Sequence, residues 1–199
     1  MPQLVDWLGG GDLRSDGMAG EVARWVLERP PLLEELLVGL SVPDDVIRGR
    51  TADALEKISR ERPELLVDSL RSLERAARRD PVPMVRWHLA MVLTNMVGFR
   101  EQVGSITNTL AGLLKDESVF VKSWTLTGLC IVGRIYPRKR PAILRRLGPL
   151  QSDGSRAVRV RATKAVRLLL DDRLPLPTGW IKSQRLRSEV EGNLARGDG

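Results

Sequence analysis

The chain has 199 residues, of which 42% are hydrophobic, which is sufficient for a core. No stretch of about 18 apolar residues predicts a membrane-spanning helix, and the single cysteine excludes an internal disulfide. The first residues lack the basic start and apolar run of a signal peptide, so we expect a cytoplasmic protein.

The net charge of +7 is unevenly distributed along the chain. Residues 134–199 carry 16 bases and 6 acids, a balance of +10, whereas residues 1–133 carry 16 bases and 19 acids, a balance of −3. This distribution is typical either of a solvated, Arg-rich surface or of a surface that docks an anionic partner near the C-terminal part of the chain.

Amphipathic segments recur along the chain in pairs. Leu4–Leu8 and Met18–Leu27 predict a first, degenerate helix pair, which ends at Arg29-Pro30 because proline fits a first helical turn but not a helix interior. Four further pairs follow, and their first helices are predicted at Leu32–Leu40, Leu65–Leu73, Ile106–Leu114 and Ile143–Leu150. Each of these precedes a second helix that opens on an aliphatic residue and a base: Ile47-Arg48, Val85-Arg86, Val121-Lys122 and Val158-Arg159.

These aliphatic residues are 38, 36 and 37 positions apart, and an Asp precedes the last three bases by six residues, at Asp80, Asp116 and Asp153. In the remaining unit Val42 stands at the Asp position. A fixed period of this length indicates a solenoid, in which each unit buries its apolar face on its neighbours. We therefore predict an all-α fold, a right-handed α-α superhelix of about four to five helix pairs. The repeat domain is predicted at residues 1–170, with repeats at 1–29, 30–62, 63–99, 100–136 and 137–170.

The periodic pattern stops after Leu170, and residues 171–199 predict a linker followed by a basic tail. Two prolines within Asp171–Pro177 forbid a continuous helix there. A short basic helix is predicted over residues 180–190. Its apolar residues would cover the exposed end of the stack, so that the tail acts as a capping helix: Trp180, Ile181, Leu186 and Val190. The alternative is that the tail binds a partner.

The repeating unit resembles the HEAT repeat over roughly residues 30–170, because the turn Asp and the following Arg or Lys occupy the positions typical of that family. The resemblance implies that these side chains stack between adjacent repeats and cap the turn within each repeat, which makes them structural: Asp80, Arg86, Asp116, Lys122, Asp153 and Arg159. It also implies that the second helices line a concave face.

A column of second-helix residues, three positions after each aliphatic residue, supplies the candidate binding site on that face: Arg50, His88, Trp124 and Arg161. Lys164 and Arg167 extend it along the last helix. Arginine beside tryptophan and histidine suits contacts to a phosphate backbone together with base stacking. The alternative is that the aromatic side chains pack between repeats.

The sequence shows no catalytic constellation. His88 is the only histidine, so neither a zinc centre nor a Ser-His-Asp triad is predicted, and we expect no cofactor. Cys130 lies in an apolar run and is predicted to be a buried hydrophobic residue rather than a nucleophile.

Two functions follow as hypotheses. The first is a non-catalytic scaffold whose concave face recognises a macromolecular partner, most simply a protein, with no role for a membrane. The second is nucleic-acid binding through the basic C-terminal half, since the chain resembles the HEAT-like DNA alkylation-repair glycosylases in fold, length and basicity. Their catalytic Asp and flanking aromatic residues have no match here, so the resemblance does not imply that activity. HEAT-like lyases of bilin attachment are a third possibility, against which the basic charge and few aromatic residues argue.

Overall fold

The computed structural model describes residues 3–195, and the side chains of residues 3–192. All regular secondary structure in this range is helical. The α-helices are α1 (Ala19–Glu28), α2 (Leu32–Val38), α3 (Asp45–Glu61), α4 (Leu70–Arg79), α5 (Pro83–Asn95), α6 (Val103–Leu113), α7 (Val119–Ile135), α8 (Arg140–Leu147), α9 (Arg156–Leu170) and α10 (Gln184–Ala195). Short 3-10 turns occupy Leu4–Leu8, Gly39–Ser41, Pro63–Leu66, Pro137–Lys139 and Gly148–Ser152.

The helices pair and stack as the repeat pattern predicts. Helices α1, α3, α5, α7 and α9 pack side by side in chain order, and α4, α6 and α8 each lie against the second helix of their own repeat. Of the four aliphatic residues at the start of the predicted second helices, Val85, Val121 and Val158 are fully buried and Ile47 is half-buried. The predicted α-solenoid is therefore confirmed.

The first helices differ from their predicted boundaries: α2 ends as an α-helix at Val38 and α6 begins at Val103, and two differ more in their course. The segment predicted at Leu65–Leu73 divides into the turn Pro63–Leu66 and helix α4, which begins at Leu70. The segment predicted at Ile143–Leu150 ends as an α-helix at Leu147. Pro149 explains this end, because it has no N–H to donate to the carbonyl four residues earlier.

A ladder of ion pairs joins successive repeats along the turns. The base of one repeat reaches the Asp of the next, in the pairs Arg48–Asp80 (3.0 Å), Arg86–Asp116 (2.6 Å) and Lys122–Asp153 (2.7 Å). The Nη1 of Arg86 also donates to the carbonyls of Asp80 and Pro81 in its own turn. The predicted stacking between repeats is confirmed for these pairs. The predicted capping of the turn is confirmed for Arg86 and also for Arg159 of the last repeat, whose Nη1 donates to the carbonyls of Asp153 and Gly154.

The carboxylate of each of these three Asp residues also accepts a hydrogen bond from a backbone N–H just before the helix that follows it. The Oδ1 of Asp116 accepts a hydrogen bond from the backbone N–H of Ser118 at 2.8 Å, just before α7. A carboxylate at the beginning of a helix satisfies free N–H groups and faces the positive end of the helix dipole. The hydrogen bond from Lys122 lowers the pKa of Asp153, which keeps that carboxylate ionised at neutral pH.

The C-terminal segment folds back across the stack. Helix α10 packs against α7 and α3, which lie one and three repeats before α9, the helix that precedes it in the chain. The predicted helix over residues 180–190 is thus displaced: residues 180–183 have no helical structure, and α10 begins at Gln184. The hydroxyl of Ser183 accepts from the N–H of Leu186 and so caps this helix. In the described part of the chain, no helix is both long and apolar enough to span a bilayer.

Replacing Asp116 by alanine tests the ladder. The Asp116→Ala substitution leaves the guanidinium of Arg86 without its carboxylate in a mostly buried position and removes the acceptor at the start of α7. We expect the free energy of unfolding to fall by about 3 kcal/mol, measured by urea denaturation followed by circular dichroism.

The matched control is Glu117→Ala, which removes the adjacent, exposed acid. This substitution should change the free energy of unfolding by no more than about 0.5 kcal/mol. Equal losses in the two variants would show that the ladder adds nothing beyond ordinary surface charge.

Candidate binding groove on the inner face

We call the surface that α1, α3, α5, α7 and α9 turn away from the first helices the inner face. Positions on it are counted from the aliphatic residue of each repeat, taken as zero. Position 6 of one repeat meets position 3 of the next: Asp53 Oδ1 lies 3.5 Å from His88 Nε2, and Arg161 donates to the hydroxyl of Thr127 at 2.9 Å. The predicted column therefore packs against the neighbouring column.

Arg50 is buried and does not contribute to a binding surface. Its guanidinium donates to the backbone carbonyls of the N-terminal loop, at Leu8, Gly9, Gly10, Asp12 and Ser15. Gly17 has a φ of 51°, and a Cβ there would collide with the same guanidinium. Arg50 thus holds the loop on the stack, because a planar guanidinium with five N–H donors satisfies several carbonyls at once.

His88 belongs to a network of mostly buried charges between α3 and α5. Asp53 faces His88 on one side and the ammonium of Lys57, at 2.6 Å, on the other. One turn along, the Nε of Arg60 donates to Glu56 at 2.8 Å. Burial is the main reason why the pKa of His88 falls from 6.5 to about 4, although Asp53 opposes this shift. His88 is therefore neutral at pH 7.

Trp124 and Arg161 form a cation–aromatic cluster with two residues of the C-terminal segment. The guanidinium carbon of Arg161 lies 5.5 Å from the ring centroid of Trp124 and 5.4 Å from that of Trp180. The ammonium of Lys182 lies 5.4 Å from the Trp124 ring. Cations at this distance from an aromatic ring are attracted by its quadrupole. The predicted binding residues of this part of the column thus contact the protein's own tail.

The remaining two candidates, Lys164 and Arg167, are exposed on α9. The side chain of neither makes a hydrogen bond or ion pair with another described residue, although the charge of Arg167 contributes to lowering the pKa of Asp171. The sequence thus predicted one site for these six residues, but in the structure they have four different surroundings. Arg50 binds the N-terminal loop, His88 lies in the charge network, and Trp124 and Arg161 contact the tail. Lys164 and Arg167 are exposed on α9.

The tail crosses the inner face from the last repeat to the second. The hydroxyl of Ser183 donates to the carbonyl of Arg60 at 2.7 Å, and Arg185 pairs with Glu64 at 3.2 Å. The apolar residues predicted to cover the end of the stack are buried against the inner face instead: Trp180, Ile181, Leu186 and Val190. Arg134 positions the start of this path by donating to the carbonyls of Leu168, Asp171, Asp172 and Leu174.

The tail leaves the N-terminal part of the inner face open. A cavity of about 570 Å³ lies between α1 and α3. Its lining combines apolar or small residues with both signs of charge: Gly20, Ala23, Arg24, Leu27, Glu28, Lys57, Arg60 and Glu61. Arg60 lines this cavity, and its backbone carbonyl accepts the hydrogen bond from the Ser183 hydroxyl. The cavity therefore continues the groove beyond the point that the tail reaches.

Sequence reasoning missed the tail residues Lys182 and Ser183, which contact the Trp124 ring on α7 and the carbonyl of Arg60 on α3, respectively. One signal was present, namely a tryptophan directly after a Pro- and Gly-containing linker, where a solvated tail has no need of a large apolar ring. Cys130 is fully buried and burial raises its pKa to about 12, so its predicted place among the hydrophobic residues is confirmed.

The fold is similar to those of designed and natural helical repeat proteins. A designed armadillo repeat protein solved in complex with the peptide (KR)4 has a TM-score of 0.58 and 18% identity, over 83% of this chain and 80% of that one. Computationally designed armadillo repeat proteins for modular peptide recognition give 0.58 and 18%, over 82% and 79%. The TOG domain array of crescerin, which regulates microtubules in the primary cilium, gives 0.50 and 15%, over 100% and 90%.

These similarities establish a HEAT/armadillo-like helical repeat solenoid, as the sequence predicts. No protein-family model and no curated protein sequence matches the chain. Identities below 25% carry the fold alone, so a function has to be argued from the groove itself.

The neutral, mostly buried His88 predicts an acid-sensitive fold. The unfolded chain binds a proton at His88 below pH 6.5, whereas the folded chain binds it only near pH 4. Stability is therefore complete above pH 6.5 and falls as the pH drops through this window, by about 2 kcal/mol between pH 7 and pH 5. His88→Gln should flatten this part of the curve, measured by urea denaturation at each pH.

The comparison is clean because the chain contains no other histidine. Parallel pH profiles for wild type and His88→Gln would show that the charge network between α3 and α5 does not oppose protonation.

Proposed function

We propose that this chain is a non-catalytic scaffold whose inner face recognises a segment of a protein partner. The proposal rests on one observation: the inner face already accommodates a segment of polypeptide, the chain's own residues 180–187. This segment is held by a buried tryptophan, a side chain–backbone hydrogen bond and an ion pair, which are the contacts that a peptide ligand uses.

The docked segment indicates the chemistry of the partner. Residues 180–187 carry three bases and no acid, and the tryptophan occupies the interface with Arg161 and Trp124. Glu64 supplies the acid for Arg185, and the cavity beyond Arg60 offers Glu28 and Glu61. A basic segment with an aromatic anchor fits this groove. The similar fold of a designed armadillo repeat protein that was solved in complex with the peptide (KR)4 supports this choice.

In this proposal residues 1–170 are the repeat domain and residues 171–199 are a ligand-like tail. A tethered segment competes with any partner at an effective concentration that reaches the millimolar range for a short linker. A partner must therefore bind the groove tightly enough to compete with the tethered tail.

The proposal is tested with a fluorescent peptide of residues 177–190 added in trans. Wild-type protein should bind the peptide weakly, because the tail holds the groove. The Trp180→Ala protein, whose tail has lost its anchor, should bind the same peptide at least about tenfold more tightly, measured by fluorescence anisotropy. A peptide carrying the same Trp180→Ala substitution should not bind.

The control protein is Trp7→Ala, which removes an exposed tryptophan at the N-terminal end and should behave as wild type. Thermal melting of each variant shows that it is folded. If the peptide fails to bind folded Trp180→Ala protein, the groove is closed by a structural element and the proposal is wrong.

Nucleic-acid binding remains a second candidate, favoured by the charge of the last repeat. Residues 134–170 carry 11 bases and one acid, and several of these bases are exposed on α8 and α9: Arg145, Arg146, Arg156, Lys164 and Arg167. Asp153, the one acid, is already paired with Lys122. Phosphate binding through such a cluster is electrostatic and needs no base-specific contact.

For this candidate we expect duplex DNA binding that weakens steeply between about 50 and 200 mM salt. The double substitution Lys164→Ala with Arg167→Ala should weaken it further without changing thermal stability, since both side chains are exposed. Arg161 is not replaced because it holds Thr127 and Trp180. Absence of binding at about 50 mM salt would eliminate the candidate.

A further inference from the structure

The two ends of the solenoid expose helix faces that elsewhere in the stack are covered. Helices α3, α5 and α7 each have a second helix of a neighbouring repeat on both sides, whereas α9 has one on one side only, namely α7. Its bare side carries Val160 and Leu170, which are 61% and 70% exposed, together with Lys164 and Arg167. The described tail lies on the inner face and does not cover this side.

The bare side of α1 has the opposite charge. It presents Glu21, which lies 3.7 Å from Arg24, and Trp25, and neither is fully buried. Trp7, which is 47% exposed, extends this apolar surface, with its ring edge-on to Trp25 at a centroid distance of 5.8 Å. A pair of tryptophans of which one is exposed and the other half-buried, beside an acid, is a surface that favours an apolar, basic counterpart.

The internal interfaces show which positions meet when one repeat stacks on the next. Position 9 meets position 7: a Cβ on Gly128 would touch the Thr94 hydroxyl, and the sulfur of Cys130 contacts the carbonyl of Ala165. Position 12 meets position 11, where Gly133 makes room for Leu169 of the next repeat.

The same count applies to the end helices. In the last repeat, with Val158 at zero, Arg167 is position 9 and Leu170 is position 12. In the second repeat, with Ile47 at zero, Arg62-Pro63 occupies positions 15 and 16. Arg29-Pro30 is the corresponding pair in the first repeat, so position zero of that repeat is residue 14. Glu21 is then position 7 and Trp25 is position 11. The cavity between α1 and α3 supports this register, since residues at positions 6, 9, 10 and 13 of α1 line it together with positions 10 and 13 of α3.

We infer that copies of this chain associate head to tail, with α9 of one copy stacking on α1 of the next in the register of the internal repeats. In this arrangement Arg167 faces Glu21, and Leu170 packs on Trp25. The regional charges agree, because residues 134–170 carry 11 bases and 1 acid whereas residues 1–43 carry 3 bases and 7 acids. Such an interface is heterologous, so it propagates into a linear assembly and does not close into a symmetric dimer.

Sedimentation velocity of the full chain over a range of concentrations tests this inference. Wild type at about 50 mM salt should show a mass that rises with concentration beyond that of a dimer, and salt should reverse this rise. Arg167→Glu and Glu21→Arg should each weaken association by about tenfold or more, because each places like charges across the contact.

Mixing the two variants gives the decisive result. Each variant alone has like charges at residues 167 and 21. In a mixture, residue 167 on α9 of either variant meets an opposite charge at residue 21 on α1 of the other variant. Association should therefore return in the mixture, and also in the chain that carries both substitutions.

Arg71→Glu is the matched control, since it makes the same charge change at an exposed site on α4, away from both ends, and should leave association unchanged. Melting temperatures confirm that all variants are folded. A wild-type chain that stays monomeric up to millimolar concentration would overturn the inference. So would association that survives Arg167→Glu, stops at a dimer, or disappears on nuclease treatment, which would point to bridging nucleic acid.

Discussion

The architecture depends on the ion pair that each repeat makes with the turn of the next. One carboxylate, such as that of Asp116, accepts from the base of the preceding repeat and from an N–H at the start of its own second helix. The starts of α5, α7 and α9 are thereby tied to the second helix of the preceding repeat. Because the tie is similar at these three interfaces, the second helices stack in one register, and position 6 contacts position 3 both between α3 and α5 and between α7 and α9.

Where the ladder ends, two arginines replace it. Arg50 gathers the carbonyls of the N-terminal loop, and Arg134 gathers those of the linker after α9. Neither segment is helical enough to satisfy its own carbonyls, so a buried guanidinium supplies the donors that the backbone lacks. The linker is thereby directed toward the inner face, and this turn determines where Trp180 docks.

The sequence pattern predicted those parts of the structure that recur within one repeat. The helix pairs, the buried Val85 and Val121, and the ladder all follow from local spacing, since the same solution is repeated in each unit. Contacts made once escaped prediction: Ser183 meets Arg60 across 123 residues, and no periodicity encodes such a contact. Arg50 was assigned to a binding column because its position matched His88 and Trp124, but the irregular N-terminal loop, which has no counterpart in other repeats, captures it.

A solenoid of this kind leaves two kinds of surface to be covered, the inner face and the ends. The tail covers the inner face at little entropic cost, because it is tethered to the chain that it binds. It cannot cover the end as well, since Arg134 draws the linker away from the side of α9 that carries Leu170. Terminal repeats that face water usually carry a polar outer surface, and α9 and α1 instead retain apolar residues among charges of opposite sign. In the proposed assembly, stacking of one copy on another would cover both ends and leave the tail and the groove in place.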